Sequence, residues 1–248
     1  MRLAVLTWNL KGSAGVDTAA VAAHARAVGA DVMALQEVQY FQARRIARAL
    51  AARTRRWSFK HWPVRTWPEG MAVIGLTRPV RARGRALTYR WRLWSWRRRI
   101  LVGGTVDGGP LLVDLHLSTD TAASAGRRRL EVAAALRDVV THVGEVVVAG
   151  DLNERPGGTV SEALAAAGLR DAWLASGGDP EGGFTNWRGW EPGTTRPPSR
   201  RIDYVWVSAG IEVVDVSLPS PGDPGFSAFA RLSDHLPLTV VLEVAEHG

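Results

Sequence analysis

The stretch that decides the fold is Val146-Val147-Val148-Ala149-Gly150-Asp151-Leu152-Asn153. It opens as a β-branched run, the composition of a strand buried on both faces. Gly150 lets the backbone turn or approach another group closely. Asp151 and Asn153 stand two positions apart, so an extended chain presents both side chains on one face. A carboxylate and a carboxamide side by side at the end of a buried strand have little packing rationale. They suit a hard cation, or a water and a phosphate beside one.

Working outward, the same arrangement recurs. Residues 3–7 read as a strand that delivers Trp8 and Asn9. Asp17 can cap a helix running to about Val28, with Gly29 in the stop position. Residues 31–35 form the next strand and deliver Gln36 and Glu37. Residues 42–53 are helical by propensity, with Ile46, Leu50 and the alanines at helical spacing. Residues 70–76 and 111–115 read as strands, the second delivering His116. A long helix is expected over 122–143, with Leu130, Ala134, Leu136 and Val140 inward. Thr159 and Glu162 have the spacing of a capping box, opening a helix that Gly168 stops. Residues 202–208 form a strand that begins with Asp203, and 211–218 a further one. The last strand, 236–244, is entered through Ser233-Asp234-His235. Residues 176–199 and 219–230 are rich in Gly and Pro and read as surface loops.

Asn9, Glu37, His116 and Asp151/Asn153 each follow a strand, whereas Asp203 and Asp234/His235 stand at the start of one. Strands of opposite direction packed in one core would bring all of them to a single edge. That pattern predicts mixed sheets facing each other, helices outside, and one polar pocket. No fixed-period repeat and no linker divides the chain, so residues 1–248 are read as a single domain.

Hydrophobic content of 46% and charged content of 22% fit a globular protein. The absence of cysteine excludes disulfides, thiolate metal sites and a cysteine nucleophile. A net charge of +7 favours polyanions: nucleic acid, anionic lipid or phosphorylated small molecules. Lys11 and Lys60 are the only lysines. Arginine suits bidentate phosphate contacts, although an arginine- and alanine-rich chain can equally reflect genomic base composition. The first residues read as a strand rather than a leader, and no apolar run is long enough to span a membrane. A cytoplasmic location and a monomer are the defaults.

Seven motifs then appear in order: Thr7-Trp8-Asn9, Leu35-Gln36-Glu37-Val38, Gly70 to Gly75 (GMAVIG), Asp114-Leu115-His116-Leu117, Gly150 to Asn153 (GDLN), Arg201 to Tyr204 (RIDY), and Ser233 to Pro237 (SDHLP). The series resembles the endonuclease/exonuclease/phosphatase superfamily over essentially the whole chain. The resemblance implies a four-layered α/β/β/α sandwich with two mixed, mostly antiparallel sheets. It also implies attack of water on a phosphoester with Mg²⁺ or Mn²⁺ as cofactor. Carried over by residue, Glu37 is the principal metal ligand, and Asn9 and Asp234 complete or neighbour that site. Asp151 and Asn153 position the water and a phosphate oxygen. His235, paired with Asp203, serves as general base or stabilises the developing charge, and His116 assists the leaving group.

Plainer readings exist for each residue alone. Glu37 could be a solvated strand-end carboxylate, Asn9 or Asp234 a turn cap, His116 a satisfied core histidine, and Asp203 a surface partner of Arg200 or Arg201. Their joint occurrence in order is what argues for a site. Arg81, Arg83, Arg85, Arg90, Arg92 and Arg97 to Arg99 alternate or cluster with Trp91, Trp94 and Trp96. This reads as a strand pair with tryptophans inward and arginines solvated, or as a phosphate-tracking surface with aromatic stacking. Trp187, Arg188 and Trp190, on the long loop, are the expected substrate contacts. The expected activity is a metal-dependent phosphodiester hydrolase acting on DNA or RNA. The same chemistry on a small or lipid phosphoester is the alternative, followed by a non-catalytic nucleic-acid-binding module.

Overall fold

Each central strand is apolar on both faces because each is covered on both sides. A computed structural model describes the backbone of residues 1–63, 69–92, 95–119, 121–223 and 225–245. The first half of the chain runs β1 (Arg2–Asn9), α1 (Thr18–Ala27), β2 (Val32–Gln39), α2 (Tyr40–Ala49), β3 (Thr54–Pro63) and β4 (Glu69–Gly75), then the long hairpin β5 (Val80–Arg92) and β6 (Ser95–Val106). The second half runs β7 (Leu111–His116), α3 (Ala122–Thr141), β8 (Val146–Asp151), α4 (Thr159–Ala166), β9 (Leu169–Asp171), α5 (Ala172–Ala175), β10 (Asp203–Ser208), β11 (Ile211–Ser217), α6 (Phe226–Leu232) and β12 (Leu238–Val244).

Six strands, in the order β11-β12-β1-β2-β4-β3, form one sheet; β5, β6, β7, β8, β10 and β9 form the other. The sheets join at one corner, where Pro63, Trp62 and His61 of β3 pair with Ser95, Trp96 and Arg97 of β6. In each sheet one central pair is parallel, β1 with β2 and β7 with β8. A helix, α1 or α3, makes the crossover that a parallel pair requires. The remaining named pairings are antiparallel. The expected mixed, mostly antiparallel sheets are what the chain forms.

The period of two divides each strand between two cores. Leu3, Val5, Val32, Ala34 and Val73 of one sheet face Val102, Leu112, Val147, Ala149, Val205 and Val207 of the other. On the back of the first sheet, Leu6, Trp8, Met33, Leu35 and Ile74 pack against Val21 and Ala25 of α1 and Ala43 and Ile46 of α2. On the back of the second, Val113, Leu115, Val146, Val148 and Trp206 meet Val132, Ala135 and Val139 of α3 and Leu164 of α4. The result is the α/β/β/α layering. Each fully buried aliphatic side chain contributes about 1.5–3 kcal/mol relative to exposure.

Several local expectations are corrected. Helix α2 spans Tyr40–Ala49, and residues 54–63, given no element from the sequence, form β3. Helix α3 is turned partly from its expected phase: Ala134 is buried and Leu136 packs on the core as expected, and Val132, Ala135 and Val139 are buried too, while Leu130 is 67% and Val140 64% exposed. The cause is that Arg128 and Glu131 face inward, to partners described below. The capping box of α4 does not form, because Gly158 is its N-cap. Residues 219–230, read as loop, carry most of α6, and β9 and α5 fill part of what was read as connection. The expectation for Trp91, Trp94 and Trp96 falls outside the described residues, as only the strand backbone at positions 91 and 96 is described.

Gly150 occupies φ +129°, and a Cβ there would stand 2.0 Å from the carbonyl oxygen of Leu115. Neither strain nor clash can be relieved without parting β8 from β7. Gly150→Ala is expected to destabilise the protein by about 2 kcal/mol or more, read as a lowered urea midpoint.

Candidate active site

Strand register builds the floor of the site. His116 of β7 is paired with Asp151 of β8, and Asp151 with Asp203 of β10, so three polar residues form one row across three neighbouring strands. They share the face of Leu112, Ala149 and Val205, which points at the other sheet. From that sheet, Asn9 at the end of β1 donates from Nδ2 to Asp151 Oδ2 at 3.0 Å. Glu37 arrives through a bulge: the β2–β4 register slips between Gln36 and Val38, and Glu37 has φ +50°. A bulge re-aims a side chain that regular pleating would direct elsewhere. Glu37 Oε1 lies 3.6 Å and Asp151 Oδ2 3.5 Å from His116 Nε2. Three of the four non-glycine residues with positive φ, Lys11, Glu37 and Asn153, stand at this edge.

His235 completes the cluster. Its Nδ1 faces both oxygens of Asp203, at 3.0 and 2.8 Å, and its Nε2 is 3.9 Å from Asp151 Oδ2. A carboxylate on Nδ1 fixes the ring orientation and keeps that nitrogen protonated, directing Nε2 at the pocket. Burial alone would lower the His235 pKa, but the charge and hydrogen bond of Asp203, with Asp151 and Asp234 nearby, raise it to about 10. Burial raises the pKa of Asp151, opposed by His235 and by the Asn9 hydrogen bond, and reinforced by Asp203 and Glu37. Three carboxylates crowd two imidazoles in a place with little water.

This arrangement fits a divalent cation. Asp151, Asp203 and His235 each offer a ligand atom within 4.8 Å of the others. Asp203 spends both oxygens on His235, which leaves Asp151 and Glu37 as the carboxylates suited to a hard ion. Asp234 is engaged by Lys11 Nζ at 2.9 Å, and the same ammonium lies 4.4 Å from the centre of the Trp190 ring. Asp234 therefore borders the cluster. Asn153 donates its backbone N–H to Asp151 Oδ1 at 2.9 Å and its amide to Leu117 O at 3.2 Å.

The expected substrate contacts differ in how far they are enclosed. Trp187 is only 4% exposed, packed with Phe226, Ala230 and Leu236, and its Nε1 donates to Arg196 O. It therefore has no ring face to offer a substrate. Trp190 is partly buried and donates to Ala230 O at 2.8 Å, with Lys11 over its ring. Arg188 is exposed. The segment Thr185-Asn186-Trp187, read from the sequence as surface loop, is buried. Thr185 O accepts from Leu236 N at 2.6 Å, and Asn186 Nδ2 donates to Asp234 O at 3.0 Å. This segment holds the Ser233–His235 turn in place.

Sequence reasoning also missed the layer beneath the site. Gln36 Nε2 donates to Asp114 Oδ1 at 2.6 Å and to Thr7 Oγ1 at 3.1 Å, all three residues fully buried, with Thr7 and Asp114 one strand-repeat below Asn9 and His116 and Gln36 level with Asn9. Burial lifts the Asp114 pKa well above the ordinary carboxylate value, and the nearby Asp151 charge adds to that. On the outer side, Glu131 accepts from Ser118 N and Oγ at 2.8 and 2.7 Å. Arg128 reaches Thr119 O and the carboxylate of Glu154, which in turn accepts from Val160 N at the start of α4. These buried charges anchor the turns that follow His116 and Asp151. The available signal was an Asp inside the apolar run 111–117, and two charges where the helix should have been apolar.

The sequence matches the model of the Endonuclease/Exonuclease/phosphatase family over residues 6–235. The chain belongs to this family. Its structure is similar to that of an endonuclease/exonuclease/phosphatase protein from Bacteroides vulgatus, with a TM-score of 0.75, 17% identity, and 99% and 100% of the two chains covered. It resembles the catalytic domain of human nocturnin with bound sulfate (TM-score 0.75, 18% identity, 98% and 95% covered). A truncated TDP2 from Caenorhabditis elegans is similar to the same degree (TM-score 0.73, 21% identity, 98% and 97% covered). No protein of curated function matches the sequence. No helix among the described residues is long and apolar enough to cross a membrane.

The folded chain holds on His235 a proton that the unfolded chain releases from about pH 6.5 upward. A group whose pKa is raised on folding stabilises below its unfolded pKa, and that contribution is lost as pH rises towards the folded value. Metal-free protein is therefore expected to lose stability between pH 6.5 and about 10, seen as falling urea midpoints. In Asp203→Asn that decline should shrink.

Proposed function

We propose that this chain hydrolyses phosphodiesters with a divalent ion, Mg²⁺ or Mn²⁺, and that its substrate is nucleic acid. The observation that carries the reading is the meeting of Asn9, Glu37, His116, Asp151, Asp203 and His235 from six separate places in the sequence at one buried edge. Packing gains nothing from such a cluster, since burying carboxylates costs free energy unless a counter-charge is present.

Glu37 and Asp151 would hold the ion, with Asn9 beside them and Asp234 at the margin. When bound, such an ion lowers the pKa of its water and draws charge from the phosphoryl oxygens. The remaining work falls to side chains. Asp203 holds His235 by Nδ1, so Nε2 exchanges a proton with the attacking water or faces the charge that grows on phosphorus. Asp151 and Asn153 orient that water and a phosphate oxygen. His116 Nε2, held between Glu37 and Asp151, supplies a proton to the departing oxygen. Arg188 and Trp190 border the path of a bound strand, whereas Trp187 shapes the loop that carries them. The net charge of +7 supports a polyanionic substrate over a small one.

The test is hydrolysis of DNA, RNA and a panel of small and lipid phosphoesters with Mg²⁺ or Mn²⁺. EDTA should abolish turnover and Mn²⁺ restore it. Glu37→Ala and His235→Ala should each lower kcat by about 10²–10⁴-fold with the fold intact by circular dichroism. An unchanged rate in both variants would refute the mechanism. Turnover confined to a small or lipid ester would move the substrate assignment, and metal-independent oligonucleotide binding with no turnover would indicate a binding module.

A further inference from the structure

Charge is not spread evenly along this chain. Residues 38–106 hold seventeen of its 31 arginines and lysines and only one of its 24 acidic residues, Glu69. The remainder of the chain is net negative. These residues form α2, β3, β4, β5 and β6, which are neighbours in space, and among the described ones Arg44, Arg48, Arg53, Arg81 and Arg83 are exposed there. Of its strands, β5 is paired only with β6, and β3 is paired on its outer side only at His61–Pro63.

Guanidinium groups on edge strands have an ordinary purpose, since they keep edges of different copies from pairing. That accounts for Arg81 and Arg83, exposed on β5. It does not account for Arg44 and Arg48 on α2, nor for Arg53 in the connection to β3, which lie on no strand. Together with Arg55, these three line a groove of about 480 Å³ whose other walls are Ala47, Ala51, Ala52 and Thr54. No acid lines it. Arg44 and Arg48 stand four apart on one helix face, a repulsive spacing that no lining carboxylate relieves. Arg55 lies 5.1 Å from the centre of the Tyr40 ring, with Nη1 shielded from solvent and lacking an acceptor among the described residues.

We infer that this groove is an anchoring site for the phosphodiester backbone of a nucleic acid, apart from the catalytic edge. A concave set of arginines presents forked donors of the kind that grip phosphate oxygens bidentately. The groove runs along the C-terminal half of α2 and into the connection to β3, and the first residue of α2 follows strand β2 directly. Arg44 and Arg48 stand four and eight residues along that helix from Tyr40, about 6 and 12 Å of rise. A strand of several nucleotides would reach from the cluster to the groove. Among the described residues, the large apolar side chains that are exposed, Tyr40 aside, lie on other elements. The groove would make the enzyme favour long substrates. This kinetic consequence rests on the hydrolase reading above, whereas the binding itself does not.

The experiment compares intact protein with two triple variants in EDTA, using a labelled single-stranded oligonucleotide of about 20 nucleotides and a salt series. One is Arg44→Gln/Arg48→Gln/Arg53→Gln. The other, Arg2→Gln/Arg129→Gln/Arg137→Gln, removes the same charge from exposed positions outside the segment. The groove variant is expected to bind about tenfold or more weakly near 0.1 M salt, with its log–log salt slope flattened by about 2; the control should change by less than about twofold. With Mn²⁺, the groove variant should raise KM for the oligonucleotide and leave hydrolysis of bis(p-nitrophenyl) phosphate unchanged. Equal weakening in both variants, or none in the groove variant, overturns the proposal. So does loss of phosphatidylserine-vesicle binding with oligonucleotide binding intact. If the triple variant fails to fold, Arg48→Gln alone, with a slope change about one third as large, decides the matter. Absence of turnover in the intact protein would refute the hydrolase reading while leaving the binding comparison valid.

Discussion

The structure depends on the burial of carboxylates that have too few protein cations to match them. Asp151 is paired across the sheets with Asn9, and in its own sheet it lies between His116 and Asp203. Bringing these groups together in a dry interior is unfavourable unless a proton or a bound cation supplies the missing positive charge. His235 takes up that burden in the metal-free protein, which is why its pKa rises despite its burial. A divalent ion would relieve the same strain more completely.

The site is held from three directions. Below it, Thr7, Gln36 and Asp114 tie the two sheets together. Burial and the nearby Asp151 charge push the Asp114 pKa well above the ordinary carboxylate range. Outside it, Glu131 and Arg128 of α3 hold the turns that follow β7 and β8. Above it, Thr185 and Asn186 fix the turn carrying His235. Each support connects segments far apart in sequence, so the positions of reacting groups are set by tertiary contacts rather than by local loop propensity. Buried ionic groups of this kind are weak evidence for stability, and here they serve to place the turns.

The polar edge and the basic segment divide the charge. The first concentrates acid in the interior, and the second concentrates arginine where a polyanion would be drawn in. Because the chain outside residues 38–106 is net negative, the excess positive charge comes wholly from that segment. A polyanion approaching it would meet an oriented field instead of a uniformly basic surface.

How much was legible in the sequence follows from which forces are local. The two-faced strands, their positions, the layered sandwich and the residues Asn9, Glu37, His116, Asp151, Asp203 and His235 could be read because strand periodicity and motif order are properties of short segments. The phase of α3 was misread since Arg128 and Glu131 find their partners in turns that only the folded chain brings near. Trp187 read as a surface aromatic because nothing beside it in the sequence reveals that Phe226 and Leu236 close over it. Strand β3 went unread since pairing with β4 and β6 defines it, and helix α6 since Phe226 and Ala230 are buried against the distant Trp187 and Leu236. The sequence determined which chemical groups are present and in what order they sit at strand ends. Only the tertiary structure decided which of them meet, because convergence between two facing sheets is set by register and packing across the whole chain.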